Sequence, residues 1–564
     1  MTIADWFILA LYLAGTVCIG VFLGRFVKNS RDMFAAGGQS PWWISGLSAF
    51  MTMFSANTFV VWGGIAYQHG LVAIVINLCY GIAAIGVGFT VAGKWKSMGI
   101  RTPAEYVEKR FGRSALHFYT WFMLVFRMVG TGGALYAIAR LSLAVIGGEA
   151  SADGASLTGA DLNWIILLFA LIVVGYTMIG GLWAVLMTDT LQFVVLNLAV
   201  LFVIPLSLAR SGGFSGFLEQ APEGFLATTT DQYSFLFLAG WVAIHYFMIG
   251  AEWAFVQRYI CVPSPSDARK SCFLFGGLYL FSPFLWLLPP LLWRVQLPPP
   301  EGSAPEIITH LAETAYILSC KAVLPVGMLG LMLAALFSAT ASMISSQLNV
   351  FSGVLTENIY KPMAKDPSEK RLVLAGRFFT LLLGIVVASI AMATPYLGGA
   401  AALIISVTQV MVTPLLAPTL LALFIPQLGI RTIWVTVGIC FPLGLLSKFS
   451  DSLAGTWIAD STFVGVFLPL LIIGVMALAN RSEVRGWGAI QRLTAQEATR
   501  EQATSSSFPA LILSISLALC SVTLFALIPL NETNQAMLGG FGVGLLLLGV
   551  GLYVLSKKMK SQEP

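Results

Sequence analysis

The sequence predicts an all-α integral membrane protein of about fifteen transmembrane helices, counted by the roughly 20 residues a bilayer crossing needs. Three observations carry this. Of 564 residues, 57% are hydrophobic and 10% charged, against about 25% charged in an ordinary soluble protein, and no compact soluble body hides that much apolar surface. The apolar residues come in runs almost free of charge, among them Ile165 to Tyr176, Phe193 to Ile204, Leu324 to Phe337 and Phe378 to Ala393. Lipid offers no hydrogen-bond partner, so such runs form helices that satisfy their own backbone.

The expected spans lie near 4–24, 42–62, 70–92, 116–146, 162–181, 184–208, 232–257, 271–293, 324–358, 372–393, 398–424, 431–447, 462–480, 508–530 and 534–556. Ile3 to Leu23 has no basic residues before it and is long enough for a first span rather than a cleaved leader. With the N-terminus outside, the cytoplasmic connections hold 25 of the 31 basic residues. The positive-inside rule selects that topology and puts the C-terminus in the cytoplasm, in a multi-pass protein of the cell membrane. The seven cysteines are scattered and form no metal motif or disulfide framework. The net charge of +5 belongs to these loops and implies no nucleic-acid partner.

The chain divides into a leading helix and cytoplasmic loop (1–41), five spans over 42–208, an external loop at 209–231, five spans over 232–424, and accessory helices over 425–564 with a cytoplasmic connector at 481–507. An amphipathic external helix is expected around Ile307 to Leu318. Five helices entering from inside, then five entering from outside, make an inverted repeat. Function concentrates where such helices are interrupted, because freed backbone groups survive in a membrane only around a cavity. The span 42–62 is rich in small polar residues, with Thr52, Ser55 and Thr58 at three-residue spacing on one face and Asn57 beside them. Small residues of this kind also serve close helix packing. The span 232–257, with His245 near its middle and Glu252 near its inner end, is the second candidate.

The run Tyr176-Thr177-Met178-Ile179-Gly180-Gly181-Leu182-Trp183-Ala184-Val185-Leu186-Met187-Thr188-Asp189-Thr190-Leu191-Gln192 resembles the signature of the sodium/solute symporter family. Trp42-Trp43, Arg101 to Tyr106, Gln257-Arg258-Tyr259 and the stretch from Ala334 to Asn349 resemble it too. The resemblance covers residues 1 to about 425. It implies a LeuT-type fold, a 5+5 inverted repeat with one preceding and about four following helices. It further implies a Na+ site where the broken first core helix meets the eighth: the carbonyls of Met51 and Phe54 facing Ala339 and the Ser342 hydroxyl, with Asp189 close by. Oxygen ligands suit a hard cation. Asp189 has an alternative role as the partner of Arg101 or Arg258. The sequence departs from the family at Met343, where a second hydroxyl residue usually stands and a thioether is a poor ligand for sodium.

Arg127 falls about 16 Å into its span at 1.5 Å per residue. Sialic acid transporters of the family hold the solute carboxylate with an arginine on this helix, and a structural arginine bonded to carbonyls or to Asp189 is the alternative. His245 matches a hydrogen-bonding position in sugar-transporting relatives, and it also fits a packing residue or a proton carrier. Asn77, Tyr279 and Gln409 are further polar groups at membrane depth. The expected solute is a sugar or sugar acid, with an amino acid or other carboxylate as the alternative. The expected coupling ion is Na+, with proton-coupled or uncoupled transport as alternatives, and no organic cofactor or obligatory protein partner is implied. An enzyme would need clustered acidic or metal-binding residues, and neither D-x-D nor H-E-x-x-H occurs. A solute sensor would carry a signalling domain, whereas only Ser556 to Pro564 follows the last span.

Overall fold

The computed structural model describes residues 1–146, 159–300, 302–364, 367–394, 400–449, 462–480, 482–499, 505–531 and 534–561. Among them, nine helices are long and apolar enough to cross a membrane, or ten when the bent pair Phe235–Ala251 and Trp253–Ile260 counts as one span. The expectation of fifteen is therefore corrected at particular places. The expected spans 162–181 and 184–208 run together as one element, Gly159–Arg210, interrupted only at Gly181. The expected span 42–62 is split into pieces too short to qualify. Met411–Leu421, Ile430–Gly444 and Phe463–Ala479 are apolar but short. The amphipathic external helix is present and longer than expected, Pro305–Val323.

Burial separates central from peripheral helices. The Met328–Met363 span is 89% buried over its apolar window, whereas Gln535–Lys560 is 22% buried and shows most of its surface to lipid. Lipid is as apolar as leucine, so close backbone approach and polar contacts bring such helices together. Asp5, unexpected in a first span, accepts a hydrogen bond from the Gly330 amide at 3.0 Å and pins Ile3–Leu23 to the start of Met328–Val354. The family signature supplies the other close contacts. A Cβ on Gly20 would stand 2.4 Å from Tyr176 Cβ, so the first helix lies flat against the signature.

Gly181 has a stricter reason to be glycine. Its φ of 56° and ψ of −151° are open only to a residue without Cβ, and a Cβ there would meet the Met33 carbonyl oxygen at 2.8 Å. The kink carries the chain past the short helix Ser30–Ala35, which holds Met33, and sets the phase of the following turns, including Asp189. Gly181→Ala should lower the thermal unfolding temperature, at a cost of about 1–3 kcal/mol from the backbone alone; an unchanged melting curve in detergent would contradict this account.

Candidate solute and ion-binding site

The first break is built by side chains that take over helical hydrogen bonds. Trp42–Thr52 ends where the Met53 and Phe54 amides turn back onto the Phe50 and Met51 carbonyls, at 3.2 and 3.0 Å. Helix resumes at Ala56, and a wide turn over Thr58–Trp62 leads into Gly63–His69. Ser55 N–H donates to Thr58 Oγ1, and Ala56 N–H donates to Thr340 Oγ1 at 2.9 Å. The second amide is thus satisfied from across the core, by the Met328–Val354 helix. Serine and threonine compete with the helix ladder in this way, which is why a hydroxyl-rich stretch breaks here. The second break lies at Glu252 (φ −67°, ψ 136°), between Phe235–Ala251 and Trp253–Ile260, which are bent by 53°.

Between the breaks lies a cavity of about 310 Å³, at the small end of the roughly 300–1,000 Å³ usual for small-molecule sites. Seven of the eight expected solute contacts line it: Ser55, Asn57, Thr58, Asn77, Arg127, His245 and Tyr279. Thr52 is the exception. Its hydroxyl donates to the Ser48 carbonyl at 2.7 Å and lies 3.3 Å from Ser346 Oγ, so it faces the core beneath the cavity. Asn77 donates to the Ala73 carbonyl at 2.8 Å, leaving its own carbonyl oxygen as an acceptor. His245 Nδ1 lies 2.8 Å from the Trp241 carbonyl. A carbonyl only accepts, so Nδ1 carries a proton and donates to it, and Nε2 is left to the cavity. The side chain of Gln409 lies outside the described residues.

Several lining residues were not expected. Trp62, Tyr80, Trp241 and Phe126 give the cavity aromatic walls, and Gln347 adds an amide. Met343 also lines it, together with Met53. It therefore shares a face with Thr340 and Gln347, four residues along, and not with Ser342. Arg127 is paired with Glu252, Nη2 to Oε2 at 2.6 Å, and not with Asp189. Glu252 Oε1 accepts from Gln347 Nε2 at 3.0 Å. The one signal in the sequence for Glu252 was an acid inside an apolar span, at the point where that span breaks.

Asp189 lies in a second, deeper cluster. Its partner is Arg258, Nη2 to Oδ2 at 3.4 Å with both side chains fully buried, while Arg101 approaches Glu357 instead. Arg258 is therefore an interior residue and not a loop charge. Its remaining donors reach Ser48 Oγ at 3.0 Å, Ser346 Oγ at 2.5 Å, the Ala254 carbonyl at 3.2 Å and Gln257 Oε1 at 3.1 Å. Ser48 donates in turn to Asp189 Oδ2. Asp189 Oδ1 and Ser342 Oγ make no well-aligned hydrogen bond among the described residues, and the Ser342 hydroxyl stands within reach of the Asp189 carboxylate. Ser342 is next to Asp189 and fully buried, as are Ala339, Met51 and Phe54. A buried oxygen without a partner costs about 1–3 kcal/mol, so this pair of atoms is suited to a cation.

Helices broken at membrane depth around a polar cavity, with unsatisfied oxygens beside it, define a membrane transporter of the LeuT-type fold. Residues 33–431 match the sodium:solute symporter family, and the chain belongs to it. It is 29% identical over 479 residues to the sodium/glucose cotransporter of Vibrio parahaemolyticus, covering 80% of this chain and 86% of that one. It is 25% identical over 389 residues to the sodium/sialic acid symporter NanT of Aliivibrio fischeri, covering 66% and 73%. Among solved structures, a Na+-coupled sialic acid symporter in a substrate-bound outward-open state superposes with a TM-score of 0.72 at 21% identity, over 86% of this chain and 99% of that one. Mhp1, a nucleobase-cation-symport-1 family transporter, superposes with a TM-score of 0.52 at 12% identity, over 82% and 98%.

The Asp189–Arg258 pair should behave as a unit. Asp189→Asn or Arg258→Gln alone leaves one buried charge uncompensated, at about 3–5 kcal/mol. The double variant should lose less than the sum of the two. Additive losses of thermal stability would show that the two groups do not depend on each other.

Proposed function

We propose that the protein is a secondary active transporter that couples inward movement of Na+ to uptake of a sugar or sugar acid by alternating access. One observation carries this reading: Asp189 Oδ1 and Ser342 Oγ are buried without a well-aligned hydrogen bond, in a cluster that includes Ser48 of the broken helix whose restart lines the cavity. In this reading Na+ is held by the Met51 and Phe54 carbonyls, Ala339 and Ser342, with Asp189 adding negative charge. The solute is held by Ser55, Asn57, Thr58, Asn77, Arg127, His245 and Tyr279. Thr52 is assigned to the wall between ion and solute. The similarity to sodium/glucose and sodium/sialic acid symporters supports both the ion and the solute class.

We further infer about fifteen crossings, by the 20-residue criterion, with Gly159–Arg210 counted as two across Gly181 and the short apolar helices counted as spans. Residues 42–208 and 232–424 then form the two inverted repeats, 1–41 precedes them, and 425–564 holds the accessory helices. The N-terminus faces outside and the C-terminus the cytoplasm of the cell membrane, as the basic loops require.

Uptake of labelled glucose into proteoliposomes should need an inward Na+ gradient. Ser342→Ala should raise the Na+ concentration for half-maximal uptake about tenfold, the equivalent of about 1.4 kcal/mol. Uptake that ignores Na+ and follows a pH gradient would overturn the ion assignment.

A further inference from the structure

The solute cavity contains a charge and its cancellation. Arg127 is 16% exposed, lines the wall, and has a partnerless Nε. Glu252 is 2% exposed and stands behind it. The guanidinium nitrogen is 2.6 Å from Glu252 Oε2, yet Oε2 receives no aligned hydrogen bond, so the contact is one of charge against charge. The second Glu252 oxygen is held by Gln347. The backbone fixes the acid in place: its amide donates to the Met248 carbonyl at 2.9 Å, and its own carbonyl accepts from Phe255 at 3.1 Å and Val256 at 3.0 Å. The backbone thus anchors the Glu252 α-carbon at the start of Trp253–Ile260, and Gln347 holds the carboxylate.

These positions bear directly on what the cavity accepts. A solute carboxylate docking on Arg127 would place a second anion against the guanidinium that Glu252 already neutralises. Like charges sharing a poorly solvated site disfavour each other strongly. A neutral solute meets no such conflict, since a hydroxyl can accept from Arg127 while the Glu252 pair stays intact. The other polar groups around the cavity, the Asn57, Asn77 and Gln347 amides and the His245 ring, are likewise suited to hydroxyls. We propose that Glu252 is the specificity-determining residue of this transporter, closing the cavity to carboxylate solutes and reserving Arg127 for neutral polyhydroxy ones. The inference rests on the sugar-transport reading and chooses within it.

The test uses a matched pair of probes, glucose and glucuronate, which differ by a carboxylate at one carbon, with affinities measured on the purified full chain in Na+. The wild type should prefer glucose at least tenfold, about 1.4 kcal/mol. Glu252→Gln should move the ratio at least tenfold toward glucuronate, and Arg127→Gln/Glu252→Gln should move it back. Equal affinity of the wild type for both probes overturns the inference and leaves the sugar reading standing; this arm needs no variant to fold. An unmoved ratio in Glu252→Gln overturns it as well. A wild type that binds neither probe overturns the sugar reading and this inference with it.

Discussion

Much of this protein's core depends on one buried ion pair, Asp189 with Arg258. Both groups are sealed from solvent, where desolvation makes a lone charge untenable. Satisfying the guanidinium therefore dictates what surrounds it. Ser48 comes from the first half of one broken helix, Gln257 and the Ala254 carbonyl from the second half of the other, and Ser346 from the central helix. The network reaches further, because Gln257 donates to Asn349 Oδ1 at 2.8 Å and to the Phe34 carbonyl at 2.8 Å, and Asn349 donates to the Met33 carbonyl. Four segments distant in sequence are thereby held in one register. The Gly181 kink, which presses against Met33, belongs to the same arrangement.

The cavity repeats this device with the signs exchanged. At depth, an acid from 42–208 meets an arginine from 232–424; at the cavity, an arginine from 42–208 meets an acid from 232–424. Arg258 and Glu252 lie six residues apart on either side of one bend, so both contacts pass through the same short stretch of chain. The deeper contact is enclosed by hydrogen-bonding neighbours from several helices, with Asp189 Oδ1 left over. The upper one leaves Arg127 Nε buried without a partner, on a side chain that lines the cavity. Their surroundings assign them different work: a pair held from several sides fixes geometry, and a pair whose arginine lines a cavity bears on what the cavity holds.

The sequence disclosed what depends on composition and local chemistry. Membrane class, an interruption within 42–62 and the polar side chains of the cavity could be read because hydroxyl-rich and Gly-rich stretches stand out against apolar helices. Seven of the eight expected solute contacts lie together for that reason. Pairing could not be read in the same way. Nothing near Arg127 in sequence distinguishes Glu252 from Asp189 as its partner, since the choice depends on how two bent helices cross. Thr52 was misjudged by its spacing with Ser55 and Thr58: the helix stops between them, so a face that is continuous in an ideal helix turns in two directions. The spans expected at 162–181 and 184–208 join in one element because a kinked helix keeps its ladder on both sides of the kink, and no polar break marks the boundary at Gly181.

The same geometry places Met343 on the cavity face of its helix and not on the face of Ser342. Ala339, Ser342 and Ser346 recur at three- and four-residue spacing on one face of Met328–Val354, and Ser346 on that face touches Thr52 and Arg258. Thr340, Met343 and Gln347 occupy the adjacent face, which meets the restart of the broken helix at Ala56 and lines the cavity. One helix thus separates an oxygen-lined core from a solute wall within a single turn. The thioether of Met343 adds apolar surface on the solute side, opposite Met53, and the orphaned hydroxyl of Ser342 remains on the ion side. If the ion site lies where proposed, ion and solute are linked through backbone: the cavity-lining Met53 and Ser55 alternate with Phe54 in one short break, so a shift that reshapes the cavity wall also moves the Phe54 carbonyl.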